Sequence, residues 1–239
     1  MRVDIELVGF DGDDTLWRSQ DFYDAAQAEF ERILARYVDI GDAALRARLY
    51  DVERQNIGIF GYGAKGMMLS MIEAAIGVTA GRIDAADIHR IVVLGKDVLA
   101  HPVELLPGIR EAVAAVAEHH RVVLITKGDL FHQEAKVAAS GLGDLFHRIE
   151  IVSEKDVRSY RRLLDEFGIE AARFAMVGNS LRSDIAPVIA LGGWGVYMPY
   201  HSTWAHELEA DVAADAPQVE QAATPADIPA ALARLRARA

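Results

Sequence analysis

The run Val3-Asp4-Ile5-Glu6-Leu7-Val8-Gly9-Phe10-Asp11-Gly12-Asp13-Asp14-Thr15-Leu16 decides the fold. A short apolar stretch over 3–10 reads as a buried strand, and it ends in a polar, Gly-containing turn. Ligand sites in open α/β sheets gather outside the carboxyl ends of the strands, so chemistry is expected at Asp11. Three acids within four positions repel one another unless a cation or a bound proton compensates them. A solvated acidic turn is the plain alternative. A calcium loop fails, because the sixth position of the run is Leu16 where that loop needs Gly, and a strand precedes it.

Working outward, four further apolar, β-branched runs at 121–125, 148–152, 173–177 and 193–198 read as strands. Helical patterns near 131–139, 156–167 and 182–190 alternate with them, and a helix at 108–118 leads into the second strand. Such alternation predicts a doubly wound, Rossmann-like α/β core whose parallel sheet is covered on both faces. The stretch between the first strand and 108 has no convincing strand. It reads as helices around 21–37, 43–55, 64–76 and 84–99, so residues 17–105 are expected to be an inserted α-helical domain, with 1–16 and 106–239 as the catalytic core. Pro102 and Pro107-Gly108 mark the return. After Met198, residues 199–225 show little periodicity, and 226–238 reads as a closing helix.

Composition narrows the function classes. Among 239 residues, 25 Lys+Arg face 36 Asp+Glu, a net charge of −11. That excess disfavours a broad nucleic-acid or anionic-lipid surface, while leaving room for a local pocket for a small anion. No cysteine is present, which excludes disulfides, thiolate catalysis and thiolate metal sites. No uninterrupted apolar stretch reaches the roughly 18 residues a membrane helix needs. The first six residues carry acids where a secretion signal needs an apolar centre, so a cytoplasmic location is expected.

The turn after the first strand, Asp11-x-Asp13-x-Thr15-Leu16, resembles motif one of the haloacid dehalogenase superfamily. The remaining motifs follow in order. Leu124-Ile125-Thr126 is similar to the hydroxyl-bearing second motif, and Lys155 in Val152-Ser153-Glu154-Lys155 to the third. Val177-Gly178-Asn179-Ser180-Leu181-Arg182-Ser183-Asp184 is similar to the acidic fourth. The resemblance spans about 3–198 and places the helical insertion where that family carries a cap, whose closure would exclude water.

Elementary chemistry agrees with what the resemblance implies. A carboxylate attacks phosphorus when a metal and cationic groups screen the phosphoryl oxygens. Asp11 is then the nucleophile, forming an aspartyl-phosphate, and Asp13 the acid that protonates the leaving group and later activates water. Thr126 supplies a hydroxyl to a phosphoryl oxygen; for an isolated Thr, β-propensity would suffice. Lys155 neutralises developing charge, with Lys127 and Lys136 as competitors.

The resemblance implies Mg²⁺ held by the Asp11 carboxylate, the Asp13 backbone carbonyl and an acid of motif four. Here the sequence departs: Asn179 stands at the usual first acid, and Asp184 is the acid that survives. Either Asn179 or Asp184 reaches the metal, or Asp184 holds a metal-bound water or Lys155. Asp14 is a second departure, assignable either to the cation or to the turn.

In the insertion, Gly61-Tyr62-Gly63-Ala64-Lys65-Gly66 matches the dinucleotide fingerprint but lacks a preceding strand. A hinge or substrate loop fits better, with Tyr62 and Lys65 as contacts to a small phosphorylated metabolite, and Lys127 as a third. The three methionines in 67–71 read as core, and Trp17 as packing. The rival chemistries are dehalogenation, which Asp13 disfavours, phosphonate hydrolysis, which needs a Schiff-base lysine (Lys65 or Lys96), and phosphomutation. A noncatalytic phospho-ligand binder is the remaining alternative.

Overall fold

The computed structural model describes residues 4–238, so residues 1–3 and 239 of the expected core, including the first position of its first strand, lie outside the described residues. The strands are β1 (Leu7–Phe10), β2 (Arg121–Lys127), β3 (Arg148–Val152), β4 (Phe174–Gly178), β5 (Trp194–Tyr197) and β6 (Val219–Gln221). Helices α1 (Gln20–Leu34), α2 (Ala43–Phe60), α3 (Ala64–Val78) and α4 (Ala85–Ala100) follow β1. Helices α5 (Ile109–Ala117), α6 (Leu130–Ser140), α7 (Val157–Phe167), α8 (Ala186–Ala190) and α9 (Ile228–Arg238) complete the chain.

All six strands run parallel in the order β3-β2-β1-β4-β5-β6. β1 sits centrally, between β2 (Leu7 opposite Arg121) and β4 (Leu7 opposite Phe174). Successive strand residues face opposite sides. Val8, Phe10, Val122, Leu124, Ala175 and Val177 therefore join one apolar core with α5 and α9. Leu7, Val123, Ile125, Phe174 and Met176 join the other with α7 and α8. Both faces are covered, which is why these strands read as unbroken apolar runs rather than alternating ones. Gly9 is required by packing: a Cβ there would lie 2.8 Å from Met176 Sδ and 2.9 Å from the Phe174 ring.

Three expectations are corrected. β1 begins at Leu7, not at residue 3. β6 lies inside the stretch read as aperiodic; three residues of Val-Glu-Gln are too few to display a period, and the strand is fixed by its register on β5 and by Arg234 of α9, whose Nε donates to Glu220 at 2.5 Å. The expected helix over 182–190 opens as a π-helical turn, Leu181–Ile185, before α8.

The chain divides into two compact units. Among the described residues, one comprises 4–20, 103–127 and 133–238; the other comprises 21–102 and 128–132. Residues 17–20 and 103–105 stay with the α/β unit because the two connections pair there. Trp17 bridges Leu105, Arg18 N donates to Glu104 O at 2.9 Å, and Leu106 N donates to Leu16 O at 2.9 Å.

The helical insertion has its own core. Phe30, Ile33 and Leu34 of α1 pack with Met71 and Ala75 of α3 and Ile91 of α4. α3 and α4 touch where Gly95 leaves room for Met68; a Cβ at Gly95 would lie 2.8 Å from its Cβ. The Gly61–Gly66 run joins α2 to α3, with φ of 74° at Gly61 and 112° at Gly63. A helix, not a strand, precedes it, so no dinucleotide fold surrounds the motif.

Candidate active site

The order of the strands reverses around β1, so its carboxyl end and that of β4 stand at the topological switch point, the place where open α/β sheets take ligands. Into it β1 delivers Asp11, whose amide is fixed by Val177 O at 2.9 Å. The chain then turns sharply, with Leu16 N returning to Gly12 O at 2.8 Å. Gly12 makes the turn possible: a Cβ would sit 2.9 Å from the Trp17 ring and 3.0 Å from Thr126 Oγ1.

Asp11 is buried and held on both oxygens. Lys155 Nζ donates to Oδ1, and Thr15 Oγ1 donates to Oδ2 at 3.2 Å. The same ammonium donates to Asp184 Oδ1 at 2.7 Å, and Ser180 N donates to Asp184 Oδ2 at 3.0 Å. The π-helical turn explains that geometry. Its wide ring brings Asp184 back over Gly178, where a Cβ would lie 2.2 Å from Oδ2, so β4 must end in Gly. Burial pushes the Asp11 carboxyl up to about 7, with Lys155 opposing and Asp184 adding to the rise. Burial alone would weaken the Lys155 charge, but the two carboxylates outweigh it and keep the ammonium protonated.

Asp13 points elsewhere, into a nest of donors. Trp17 Nε1 donates to Oδ1 at 2.7 Å, Lys136 Nζ to Oδ1 at 2.5 Å, and Gln133 Nε2 to Oδ2 at 2.9 Å. Burial opposes ionisation there, yet Lys136 and these hydrogen bonds hold the carboxyl below the usual range. Gln133 Nε2 also donates to Thr126 Oγ1 at 3.2 Å, which ties motif two to Asp13. Trp17 thus does more than pack: its ring is fully buried and its N–H is spent on Asp13.

Asn179 lies against Asp11. One terminal atom of its amide sits 3.2 Å from Asp11 Oδ2, 3.2 Å from the Asp13 carbonyl oxygen and 3.3 Å from Thr15 Oγ1. With nitrogen in that place, the amide donates to both acceptors. With oxygen there, it can accept from Thr15 Oγ1 at 3.3 Å, but it faces the Asp11 carboxylate and the Asp13 carbonyl with no donor hydrogen of its own, and these three oxygens are of the kind a hard divalent cation takes. Among the described residues no cluster of three or more Asp, Glu or His side chains is arranged to hold a metal. In that orientation one carboxylate, one carbonyl and one amide are the oxygens that could take Mg²⁺. Asp184 is turned to Lys155 rather than to this point. Asp14 is in the turn: at φ 62° it accepts from Ser19 N at 2.8 Å and Gln20 N at 3.0 Å, where α1 begins.

Lys127 belongs to a neighbouring cluster. Its Nζ donates to Glu207 Oε1 at 2.5 Å and Ser183 Oγ at 2.9 Å. Glu207 Oε2 accepts from Ser180 Oγ at 2.5 Å and Ser183 Oγ at 2.6 Å. Burial opposes the Glu207 charge, but Lys127 and the hydroxyls keep its carboxyl below the ordinary value. Tyr62 and Lys65 lie in the other unit, where Lys65 Nζ pairs with Asp129 at 2.9 Å and stands 5.4 Å from the Phe131 ring centroid. Sequence reasoning gave Thr15, Ser180 and Ser183 no role beyond their motifs, did not single out Gln133 or Glu207, and treated Lys136 only as a competitor of Lys155. Gln133 and Lys136 are three apart on one face of α6, a signal usable only once that face is known to meet the turn.

A family model described as a haloacid dehalogenase-like hydrolase matches residues 5–192. No curated protein matches. Among solved structures, a haloacid dehalogenase-like family hydrolase from Xanthomonas campestris is 56% identical, covers 98% of this chain and 97% of its own, and has a TM-score of 0.89. A 2-haloacid dehalogenase from Pseudomonas syringae (20% identity, coverage 96% and 99%, TM-score 0.61) shares the fold. So does a predicted phosphoglycolate phosphatase from Haemophilus somnus (17%, coverage 95% and 97%, TM-score 0.59).

Proposed function

The chain belongs to the haloacid dehalogenase-like hydrolases, and on that premise we propose that it hydrolyses a small phosphomonoester through a covalent phosphoryl group on Asp11. The carrying observation is the pairing of two carboxylates two residues apart with opposite surroundings: Asp11 held by Lys155 for attack, Asp13 held by Lys136, Gln133 and Trp17 for proton transfer.

An Asp11 oxygen attacks phosphorus as the bond from phosphorus to the ester oxygen breaks, and the departing oxygen takes a proton through Asp13, which is ionised in the free enzyme and in the first turnover receives that proton from the monoanionic ester. Water then attacks the phosphoryl group, the bond to Asp11 breaks, and Asp13 accepts the proton that water gives up. That proton is available for the next leaving group, so the cycle closes. Lys155 screens the repulsion between Asp11 and the phosphoryl oxygens, and the Thr126 hydroxyl, oriented by Gln133, donates to one of them. Asp11 Oδ2, the Asp13 carbonyl and Asn179 Oδ1 would hold Mg²⁺, which when bound supplies further charge neutralisation on the phosphoryl oxygens. Replacing the family's acid by Asn179 leaves this site one charge poorer.

The same Asn179 favours a second reading. With its nitrogen turned to Asp11, the amide satisfies the place of the cation, and Asp11 could attack carbon without a metal, as in dehalogenation. Phosphate release from a panel of esters, with Mg²⁺ and with chelator, separates the two. The phosphatase reading predicts Mg²⁺-dependent release that Asp11→Asn lowers by roughly a thousandfold or more. Halide release from 2-haloacids with no phosphate release would replace it with the second reading.

A further inference from the structure

Residues 199–218 cross the α/β unit without a single fully buried residue. What this segment sends inward is Glu207, whose side chain is only 11% exposed. The carboxylate is received by one ammonium and two hydroxyls: Lys127 on Oε1, Ser180 and Ser183 on Oε2. One cation and two hydroxyl donors on two oxygens is the equipment of a carboxylate-binding site. Its donors come from catalytic elements: Lys127 follows Thr126, Ser180 follows Asn179, and Ser183 precedes Asp184. The backbone of Ser180 holds Asp184, which shares Lys155 with Asp11.

We propose that Lys127, Ser180 and Ser183 form a carboxylate subsite next to the nucleophile, that Glu207 occupies it as an internal stand-in, and that the substrate is a phosphomonoester whose own carboxylate displaces Glu207. The ester part rests on the phosphatase reading above; the subsite does not. Displacement exchanges one carboxylate for another, so the charge of the cluster is conserved. Glu154 Oε1, 3.5 Å from Lys127 Nζ, disfavours a doubly charged phosphate in the same place. A substrate anchored at Asp11 presents its carboxylate at high effective concentration. Glu207 competes from a segment with no buried apolar anchor, and so gives way at small cost.

The test is calorimetric titration with malonate of the full chain, of Glu207→Gln and of the double variant Glu207→Gln with Lys127→Met. Removing the stand-in should tighten malonate binding about tenfold, and removing Lys127 as well should abolish the gain. Equal or weaker binding by the single variant, or a gain that survives loss of Lys127, overturns the subsite. Hydrogen exchange on the unaltered protein guards against a variant that fails to fold: malonate should speed exchange in 199–218, and unchanged or slower exchange there overturns the displacement. Turnover should favour a carboxylated phosphomonoester over its matched ester lacking that group, and equal preference overturns the substrate assignment. If neither ester releases phosphate, the phosphatase reading falls while the malonate titrations still decide the subsite.

Discussion

Asp11, Lys155 and Asp184 form a buried triad in which one ammonium serves two carboxylates. Removing one partner from such a group leaves uncompensated charge away from water, which costs about 3–5 kcal/mol. Lys155→Met should therefore lower the unfolding free energy by about 3 kcal/mol in urea titration; stability equal to that of the parent would contradict the arrangement. Motif residues were legible in the sequence because they stand at strand ends: Asp11, Thr126, Lys155 and Asn179 each follow an apolar run. Their partners were not legible. Nothing in Gln133 or Lys136 taken alone points to Asp13, since a Gln or Lys on a helix is ordinarily solvated, and only the packing of α6 against the β1 turn gives them a role. Asn179 stands out in the sequence as a departure from the motif, whereas the placement of Asp184 against Lys155 follows from the π-helical turn, which no local propensity announces.

At the scale of elements, the pattern of the sheet was carried by burial on both faces. β1, β2, β4 and β5 are apolar runs bounded by turn residues, β3 alternates Arg148 and Glu150 with its apolar residues, and all five expected strands are present. β6 escaped because its stability comes from pairing with β5 and from the Arg234–Glu220 contact, neither of which leaves a periodic trace. The 199–218 segment before it is held partly by charge, and this gives it a pH dependence with a definite sign. Glu207 titrates below its ordinary value of 4.5 in the folded protein. Its contribution to stability is thus fully present above that value and is lost as pH falls through the lower folded value. The difference in unfolding free energy between the parent and Glu207→Gln should be constant near neutrality and shrink below about pH 4.5. A difference that grows on acidification would contradict the ion pair with Lys127.

For the whole molecule, the division follows the apolar cores. The two sheet-face clusters draw only on residues up to 17 and from 103 onward, and the two clusters of the insertion only on residues between 23 and 99. Trp17 and Leu105 lie side by side where the chain leaves and re-enters the α/β unit. Replacing residues 21–102 by a short Gly/Ser linker should therefore leave a cooperatively folding α/β unit, observable as a single denaturant transition with protected strand amides; an unfolded product would show that the sheet depends on the insertion. In the sequence Pro102 and Pro107-Gly108 interrupt the helical pattern, whereas the pairing of the two connections is a long-range contact that no local signal carries. The central claim concerns covalent chemistry on the intact chain, so intact mass is its most direct test. Protein quenched in acid during turnover of a phosphomonoester with Mg²⁺, using both the parent and Asp13→Asn to slow the second step, should gain the mass of one phosphoryl group, mapped to the peptide containing Asp11 and absent from Asp11→Asn. Phosphate release by the parent while Asp11 stays unmodified in both proteins would contradict the account.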